Sequence, residues 1–398
     1  MVDEAESLVT LTPQNFREER NIDARILHEV IELDLEKRRV HVRQLEGGKE
    51  WWEPFDQLMI ATGALPIKPE VPGVDAQGIY GVHDLQSGIE VRQAVDGPKA
   101  KRAVIIGGGY IGLEMAEALV RRGMDVSLVE RAPQVMVTLD PDMGALVSEA
   151  LMAVGVKLYR EESLQGFDVH KGQVQAVVTD KRNLPADMVI MGMGVRPNAA
   201  VAAQGGIQVG EKDAIVVDER MQTTVEGVWA AGDCVQSFHL ISRRPLHIAL
   251  ATVANKQGRV AGINIGGGAA VFPGVIGTAI SKIYAVEVAR TGLQEREIQQ
   301  VGWEYVTRKI EGRTRAGYYP GAGKITVKVC AEKGSGRLLG GQIVGEEGAA
   351  KRIDIFATAL HAGFTVQEMI NLDLSYAPPY SPAWDPVLIA AREIAKSV

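Results

Sequence analysis

This sequence has few cysteines, no excess of basic residues and no long apolar run. Its two cysteines, Cys234 and Cys330, form no CxxC pair, so the sequence predicts neither a disulfide framework nor a metal site. A net charge of −7 disfavours nucleic acid as a partner, because phosphate binding needs a basic face. No stretch approaches the ~20 apolar residues that span a bilayer. We therefore expect a cytoplasmic protein with no nucleic-acid partner and no membrane contact.

Glycine, by contrast, is abundant, with 44 among 398 residues, whereas a typical share is about 7%. Glycine-rich turns often bring the backbone close to a phosphate group. The length also exceeds what a single hydrophobic core usually organises, so two or three domains are expected. Together these features favour a cofactor-binding domain accompanied by at least one other domain.

Several segments have the pattern of short strands. Residues 26 to 45 alternate apolar and polar side chains and predict one hairpin. From about residue 275, β-branched runs at 325–329 and 338–344 precede helical spacing at 349–362, which predicts a separate domain of sheet and helices. Strands that end on small residues recur at 55–63, 187–192 and 227–233. This recurrence suggests two copies of one nucleotide-binding architecture.

The strongest local signal is a strand, a glycine turn and a helix in succession. Apolar residues 103–106 precede Gly107, Gly109 and Gly112, which have GxGxxG spacing. The first glycine permits the tight turn, the second lets the backbone meet a pyrophosphate, and the third packs the helix on the strand. The helix N-terminus adds partial positive charge. This succession predicts a dinucleotide site.

Glu130 ends the strand that follows this helix. Its offset from the glycine turn is near the ~20 residues at which a carboxylate binds the ribose 2′-hydroxyl of NAD. A 2′-phosphate would be repelled there, so NADH is the predicted nucleotide, although Arg131 leaves room for NADPH as a secondary substrate. The alternative is a glycine turn without a ligand, with Glu130 as a solvated charge at the end of a strand.

Taken together, ordered segments along the chain resemble the coenzyme A disulfide reductase and NADH oxidase branch of the pyridine nucleotide-disulfide oxidoreductase superfamily. The segments are 55–63, 107–114, 192–198, 232–233, 254–259, 318–321, 350–354 and 376–381. The resemblance implies FAD and NADH as cofactors. It also implies hydride transfer from the nicotinamide nucleotide through the flavin to coenzyme A disulfide, polysulfide or oxygen, in a homodimer.

The resemblance also implies roles for individual residues. Tyr110 would be the gate that shields the flavin, with Glu114 beside it, and Asp233 would accept a ribitol hydroxyl. Tyr318 and Tyr376 would reach into the thiol site of the partner subunit. Simpler roles exist for each, namely packing of Tyr110, a favourable helix dipole for Glu114, and interface packing for the two tyrosines. The remaining predicted cofactor contacts are Ala61, Thr62, Gly63, Ile111, Gly194 and Gly232.

One departure from the family pattern concerns the first residues. Family members begin with a strand and a second GxGxxG turn for the ADP half of FAD, followed by a Ser-Phe-x-x-Cys-like segment with the redox cysteine. Residues 1–60 contain no glycine before Gly47 and no cysteine. Cys234 and Cys330 do not match the redox position and are interpreted as structural thiols. We expect that this chain starts downstream of both elements, with an incomplete FAD site, and does not by itself reduce coenzyme A disulfide.

The predicted fold class is α/β, with two Rossmann-like nucleotide-binding domains, the first incomplete at its N-terminus, and a C-terminal α+β dimerisation domain. The predicted domains are a partial FAD-binding domain at 1–98 and 201–272, an NAD(P)H-binding domain at 99–200, and a dimerisation domain at 273–398. The proline-rich aromatic segment 375–386 needs a partner surface to cover it, which favours a homodimer. The alternative function is a non-catalytic, dimeric NADH-binding module without flavin or redox activity.

Overall fold

A computed structural model describes residues 5–97 and 100–398. Short strands dominate the first of these ranges, and half of them pair with strands far along the chain. The elements of residues 5–97 are a 3-10 turn at Ala5–Leu8, α1 (Pro13–Arg20), β1 (His28–Asp34), β2 (Arg39–Gln44), β3 (Glu50–Pro54), β4 (Leu58–Ile60), β5 (Ala64–Pro66), β6 (Ile79–Gly81) and α2 (Leu85–Asp96).

The predicted hairpin is present as the antiparallel pair β1 and β2, but a third strand, β3, pairs with β2 and was not predicted. Two adjacent tryptophans interrupt the alternation that would identify β3 from the sequence. Successive strand residues point to opposite faces. Trp51 lies edge-on to His28 at 5.6 Å between ring centroids, and Trp52 stacks on His41 at 4.7 Å. Each tryptophan therefore packs against its own histidine.

Residues 100–204, together with β6, form a five-stranded parallel sheet with a small antiparallel sheet attached. The order in the parallel sheet is β6-β13-β7-β8-β9, so the predicted strand, glycine turn and helix lie at its centre. The elements are β7 (Arg102–Ile106), α3 (Tyr110–Arg121), β8 (Asp125–Glu130), α4 (Pro141–Ala153), β9 (Lys157–Arg160), β10 (Leu164–His170), β11 (Gln173–Thr179), β12 (Asn183–Pro185), β13 (Met188–Met191), β14 (Val195–Pro197) and α5 (Ala200–Gln204).

The segments 55–63 and 227–233, which were predicted to be strands ending on small residues, contain two strands that pair in parallel. β15 pairs with β4, although some 170 residues separate them in the chain. Both strands therefore end at the same edge, where ligands bind in open α/β sheets. The elements of this part are a 3-10 turn at Glu211–Asp213, β15 (Val228–Ala230), β16 (Gln236–Phe238), β17 (Pro245–His247) and α6 (Ala251–Ile265).

The C-terminal part contains a five-stranded antiparallel sheet with the order β18-β19-β22-β21-β20, covered by helices. The predicted strands and the predicted helix are present, the helix being preceded by a 3-10 turn. The elements are β18 (Ala279–Ile283), β19 (Val286–Gly292), α7 (Glu295–Val301), β20 (Tyr305–Arg313), β21 (Lys324–Glu332), β22 (Leu338–Gly345), a 3-10 turn at Ala350–Arg352, α8 (Ile353–Ala362), α9 (Val366–Ile370) and α10 (Pro386–Ala395).

The two large sheets share one apolar core. Ile283, Val288 and Val344 of the antiparallel sheet are buried in the same cluster as Ile105 and Leu128 of the parallel sheet. Since burial of an apolar side chain contributes about 1.5–3 kcal/mol, this contact holds the two parts together firmly. The C-terminal part is therefore placed to influence the glycine turn directly.

The fold class is α/β as predicted, with a Rossmann-like parallel sheet and a C-terminal α+β part. The exact domain boundaries stay predictions. Within residues 5–97 and 100–398, every helix is too short or too polar to cross a bilayer.

Candidate nucleotide and disulfide site

The glycine turn between β7 and α3 is close-packed where the sequence predicts it and open where a ligand would lie. Gly107 has a φ of +103°, and a Cβ on Gly112 would lie 2.0 Å from the Gly107 carbonyl oxygen. A Cβ on Gly109, in contrast, would meet no atom of the described chain within 4 Å. Gly109 directly precedes α3 as its N-cap residue, and no side chain in the described residues caps that helix. Its backbone N–H groups therefore remain available to a pyrophosphate.

Glu130 lies directly against this turn. One of its carboxylate oxygens accepts a hydrogen bond from the Gly108 N–H at 2.7 Å, and the other accepts one from the Ala132 N–H at 2.7 Å. An ionised carboxylate has about four acceptor sites, so two remain for the hydroxyls of a ribose. The structure thus places Glu130 at the end of β8 and beside the glycines, as a nucleotide-binding carboxylate would be.

Tyr110 and Glu114 lie one helical turn apart at the start of α3, facing the C-terminal part of the chain. Burial raises the pKa of the Tyr110 phenol, and the nearby Thr138 hydroxyl and Arg290 charge oppose that rise. Glu114 accepts a hydrogen bond from the Ser281 hydroxyl at 3.2 Å. The structure brings the two residues together, while their roles beside a flavin stay predictions.

The other predicted contacts on the nicotinamide side lie near the same edge of the parallel sheet. Ile111 follows Tyr110 in the first turn of α3 and is partly buried. Gly194 follows β13 with a φ of +91°, a backbone conformation that favours glycine. Both are therefore close in the fold to the glycine turn, since β13 pairs with β7.

The residues predicted to contact FAD meet at the ends of β4 and β15. Gly63 has a φ of +69° with open space beside it, and Gly232 has a φ of +87°. The Asp233 carboxylate receives no hydrogen bond from any described residue, and burial raises its pKa although His247 opposes the rise. A half-buried carboxylate without a donor suits a ligand hydroxyl. These residues fit the ribitol part of FAD.

The loop after β4 is fixed by a contact that the sequence did not predict. The Thr62 hydroxyl donates to the Asn198 carbonyl oxygen, and the Asn198 amide donates to the Thr62 carbonyl oxygen at 3.2 Å. Ala61 and Thr62 are exposed at this edge. Asn198 therefore joins the loop after β14 to the predicted flavin edge, a pairing that no local pattern indicates.

Tyr318 and Tyr376 are brought together on the surface of the C-terminal part. They are 78% and 50% exposed, and a hydrogen bond between their hydroxyls raises the pKa of Tyr318. Tyr380 and Trp384 nearby are exposed as well. An exposed cluster of large aromatic side chains is typical of an interaction surface.

Arg352 anchors the segments that carry these aromatic residues, and the sequence assigned it no role. Its buried guanidinium donates to the Asp385 carboxylate at 2.8 Å. It also donates to the carbonyl oxygens of Gly348 at 2.7 Å, Thr314 at 2.6 Å and Tyr380 at 2.9 Å. The only sequence signal was its place in the 350–354 segment of the family resemblance.

Both cysteines are buried. Burial raises the pKa of Cys234 and Cys330. The Cys234 thiol donates a hydrogen bond to the Ala231 carbonyl oxygen at 3.3 Å. A thiol that is buried and protonated is a poor nucleophile. Among the described residues, no group of three or more His, Cys, Asp and Glu side chains is arranged to hold a metal ion.

Comparison with known proteins places this geometry in a family. Residues 2–258 match the pyridine nucleotide-disulphide oxidoreductase family, and residues 278–387 match its dimerisation domain. An NAD(P)H sulfur oxidoreductase (CoA-dependent) of Pyrococcus furiosus is 39% identical over 97% of this chain and 86% of its own length. An NADH oxidase of Methanocaldococcus jannaschii is 36% identical over 99% of this chain and 87% of its own length.

A solved structure also has this fold. The NAD-dependent persulfide reductase from A. fulgidus superposes with a TM-score of 0.93 and 38% identity, over 96% of this chain and 70% of that one. The predicted family and fold class are thereby confirmed. With its glycine turn, its parallel sheets and its C-terminal domain all matched, the chain belongs to the pyridine nucleotide-disulphide oxidoreductases.

Proposed function

We propose that this chain oxidises NADH through a bound flavin and that the electrons pass to a sulfur acceptor, either a persulfide or polysulfide or, where a redox thiol other than Cys234 and Cys330 is supplied, coenzyme A disulfide. The observation that carries the proposal is the uncapped N-terminus of α3 with Glu130 hydrogen-bonded to the glycine turn beside it. The sulfur acceptor is proposed because similar proteins are named as sulfur and persulfide reductases. Oxygen is the competing acceptor, since another similar protein is named an NADH oxidase.

The nucleotide would be bound by backbone and by one carboxylate. The N–H groups at the start of α3 would contact the pyrophosphate, and Glu130 would accept hydrogen bonds from the adenosine ribose. Tyr110 would cover the nicotinamide side of the site until NADH enters. Glu130 would repel the additional phosphate of NADPH, so we expect NADH to be preferred.

The flavin would lie at the edge formed by Ala61, Thr62, Gly63, Gly232 and Asp233. FAD bound there would supply the redox centre between the nicotinamide and the acceptor. Asp233 would accept a hydrogen bond from a ribitol hydroxyl, which would give its carboxylate the donor that the described residues do not provide. The glycines would let the backbone approach the ligand closely.

The acceptor would be bound with the help of Tyr318 and Tyr376. The Tyr318 phenol is protonated at neutral pH, as tyrosine ordinarily is, and can donate a hydrogen bond to a substrate sulfur. In a homodimer built on the C-terminal domain, the exposed aromatic surface with Tyr380 and Trp384 would lie against the partner subunit.

Two measurements on the purified chain test this function. NADH and NADPH titrations, followed by nucleotide fluorescence, should show tighter binding of NADH in the wild type and a reduced preference in Glu130→Ala. NADH consumption with added FAD is then measured separately with coenzyme A disulfide, polysulfide and oxygen. Faster consumption with a sulfur acceptor than with oxygen supports the proposal, whereas equal binding of both nucleotides contradicts the site.

A non-catalytic NADH-binding dimer is the second candidate, because Cys234 and Cys330 are both buried with raised pKa values and neither can supply a thiolate. The same assay distinguishes the two functions. NADH binding without consumption by any of the three acceptors, in the presence of FAD, would favour the binding module. Sedimentation at micromolar concentration tests the dimer in both cases, and a stable monomer would contradict it.

A further inference from the structure

The loop that connects β8 to α4 links the glycine turn to the C-terminal domain. We call residues 131–140 the nucleotide loop. It begins directly after Glu130, contacts the glycine turn near its middle, and ends at Asp140, where α4 starts. Because it touches the predicted nucleotide site at one end and the C-terminal sheet at the other, its conformation depends on both.

The middle of the nucleotide loop shapes the glycine turn. The Met136 N–H donates to the Gly108 carbonyl oxygen at 2.8 Å, and Met136 has a φ of +51°, which non-glycine residues adopt rarely. A Cβ on Gly108 would lie 2.7 Å from a methyl carbon of Val135, so the loop and the turn are in direct contact. A strained residue at such a position persists only when its surroundings hold it.

Asp140 holds the other end of the nucleotide loop through the C-terminal domain alone. Its carboxylate accepts hydrogen bonds from the Glu295 N–H at 2.9 Å and the Gln342 amide at 2.7 Å, and it lies 3.1 Å from the Lys328 ammonium. Its own N–H donates to the Gln342 side-chain oxygen at 2.8 Å. Asp140 is only 1% exposed. All three partners belong to residues 295–342.

Arg290 strengthens the same attachment. Its guanidinium donates to the Thr138 carbonyl oxygen at 2.9 Å and pairs with Glu297 at 3.0 Å. Thr138 is also the residue whose side chain lies near the Tyr110 phenol. The end of the nucleotide loop is thus held at two positions. Thr138 is held by β19, and Asp140 is held by β21, β22 and the start of α7.

We propose that Asp140 is a positioning residue through which the C-terminal domain sets the affinity for NADH. The proposal rests on the nucleotide site described above. While Asp140 is held, the nucleotide loop keeps the glycine turn and Glu130 in the conformation that binds the nucleotide. When that attachment is lost, the binding-competent conformation is only fractionally populated, and the apparent dissociation constant rises by the inverse of that fraction.

The coupling must also act in the opposite direction. If the C-terminal domain strengthens NADH binding, NADH strengthens the attachment of the C-terminal domain by the same factor. Addition of NADH should therefore slow hydrogen exchange in β21 and β22, which carry Lys328 and Gln342. In a variant without the attachment, NADH should leave exchange in those strands unchanged. A residue with a purely structural role would not produce this difference.

Asp140→Asn is the variant that tests the proposal, and Asp142→Asn is its matched control. Both aspartates contact Lys328, at 3.1 Å and 2.7 Å, but Asp142 lies in the first turn of α4 and outside the nucleotide loop. Asparagine begins a helix as well as aspartate does, so α4 is preserved. The side-chain NH2 group of the new asparagine would face the Lys328 ammonium and the Gln342 amide. Since all three groups are donors, the attachment is lost.

Binding is measured by NADH fluorescence, with circular dichroism to verify folding. We expect Asp140→Asn to weaken NADH binding about tenfold, within the range of about 5- to 150-fold typical of coupled sites. We expect Asp142→Asn to change it by less than about twofold, since a partly exposed ion pair contributes little. If Asp140→Asn does not fold, Gln342→Met removes two of the contacts to Asp140 and should also weaken binding.

The outcomes separate this proposal from the function on which it rests. Wild-type chain that binds no NADH would overturn the nucleotide site and the proposal together. Wild type that binds NADH, with an unchanged dissociation constant in folded Asp140→Asn, would overturn the proposal alone. Equal weakening by Asp140→Asn and Asp142→Asn would also overturn it, because the effect would then come from charge near Lys328 rather than from the loop.

Discussion

Replacement of Arg352 by methionine should loosen the segment that carries the exposed aromatic residues. Arg352 and Asp385 form an ion pair in which both side chains are about one-tenth exposed. Methionine fills a similar volume but leaves the Asp385 carboxylate with the Ser381 hydroxyl and the Val387 N–H as its donors. The carbonyl oxygens of Thr314 and Tyr380 also lose their shared donor.

The expected loss is about 3–5 kcal/mol in the stability of the C-terminal domain, which is typical when one partner of a buried pair is removed. Most of that loss comes from the buried charge left behind on Asp385. The double variant Arg352→Met/Asp385→Asn removes that charge, while asparagine still begins α10. The double variant should therefore be more stable than the single variant Arg352→Met.

Hydrogen exchange of residues 377–387 is the direct assay, because it reports the opening of this segment separately from the rest of the chain. Arg352→Met should exchange there much faster than wild type, and the double variant should recover part of the protection. A single variant with wild-type exchange, or a double variant that exchanges faster than the single one, would refute this explanation of how the segment is held.

The remaining predictions concern the nucleotide, the thiols and the tyrosines. Glu130→Ala should lose about 1.5–3 kcal/mol of NADH binding, the usual contribution of a hydrogen bond to a charged group, with less change for NADPH. Cys234 and Cys330 should resist a thiol reagent in the native chain and both react after denaturation, and rapid native reaction of either one would contradict their burial. The hydrogen bond between Tyr318 and Tyr376 should persist below the ordinary tyrosine pKa and be lost as pH rises through the raised one. Ultraviolet titration should show a lower pKa for Tyr318 in Tyr376→Phe.

The centre of the parallel sheet could be predicted from the sequence because its signals are local. Gly107, Gly109 and Gly112 lie within six consecutive positions; Gly112 is needed for the close contact of helix and turn, while Gly109 leaves open space where a ligand would lie. Glu130 follows within the same supersecondary unit, and its carboxylate indeed contacts the Gly108 N–H. Such units carry both their structure and their ligand geometry in one stretch of chain.

Strand β3 shows a different limit. Its sequence Glu-Trp-Trp-Glu-Pro lacks the apolar and polar alternation of a half-buried strand, because both faces of the three-stranded sheet receive a tryptophan. The partners of those tryptophans, His28 and His41, lie on β1 and β2. Only the register of the finished sheet identifies which histidine each ring contacts, so the strand escapes a pattern search.

Buried charged residues were the larger omission, and the reason is physical. Arg352, Asp140 and Lys328 would each be read from the sequence as solvated charges, since such residues are rarely buried unless they are paired. Their side-chain partners lie between 33 and 202 positions away, as with Arg352 and Asp385 or Asp140 and Gln342. A charge that is paired over such a distance leaves no local pattern.

Those same contacts explain why a family resemblance alone leaves the site incomplete. The resemblance assigns residues that would touch a cofactor or substrate, such as Tyr110 and Tyr376, because family motifs consist of such residues. Tyr110 lies beside Thr138, which is held by Arg290, and the Tyr376 segment is held by Arg352. Each contact residue thus depends on a buried cation from the C-terminal domain. Substitution of such a cation should therefore alter binding without any change in the residues that meet the ligand.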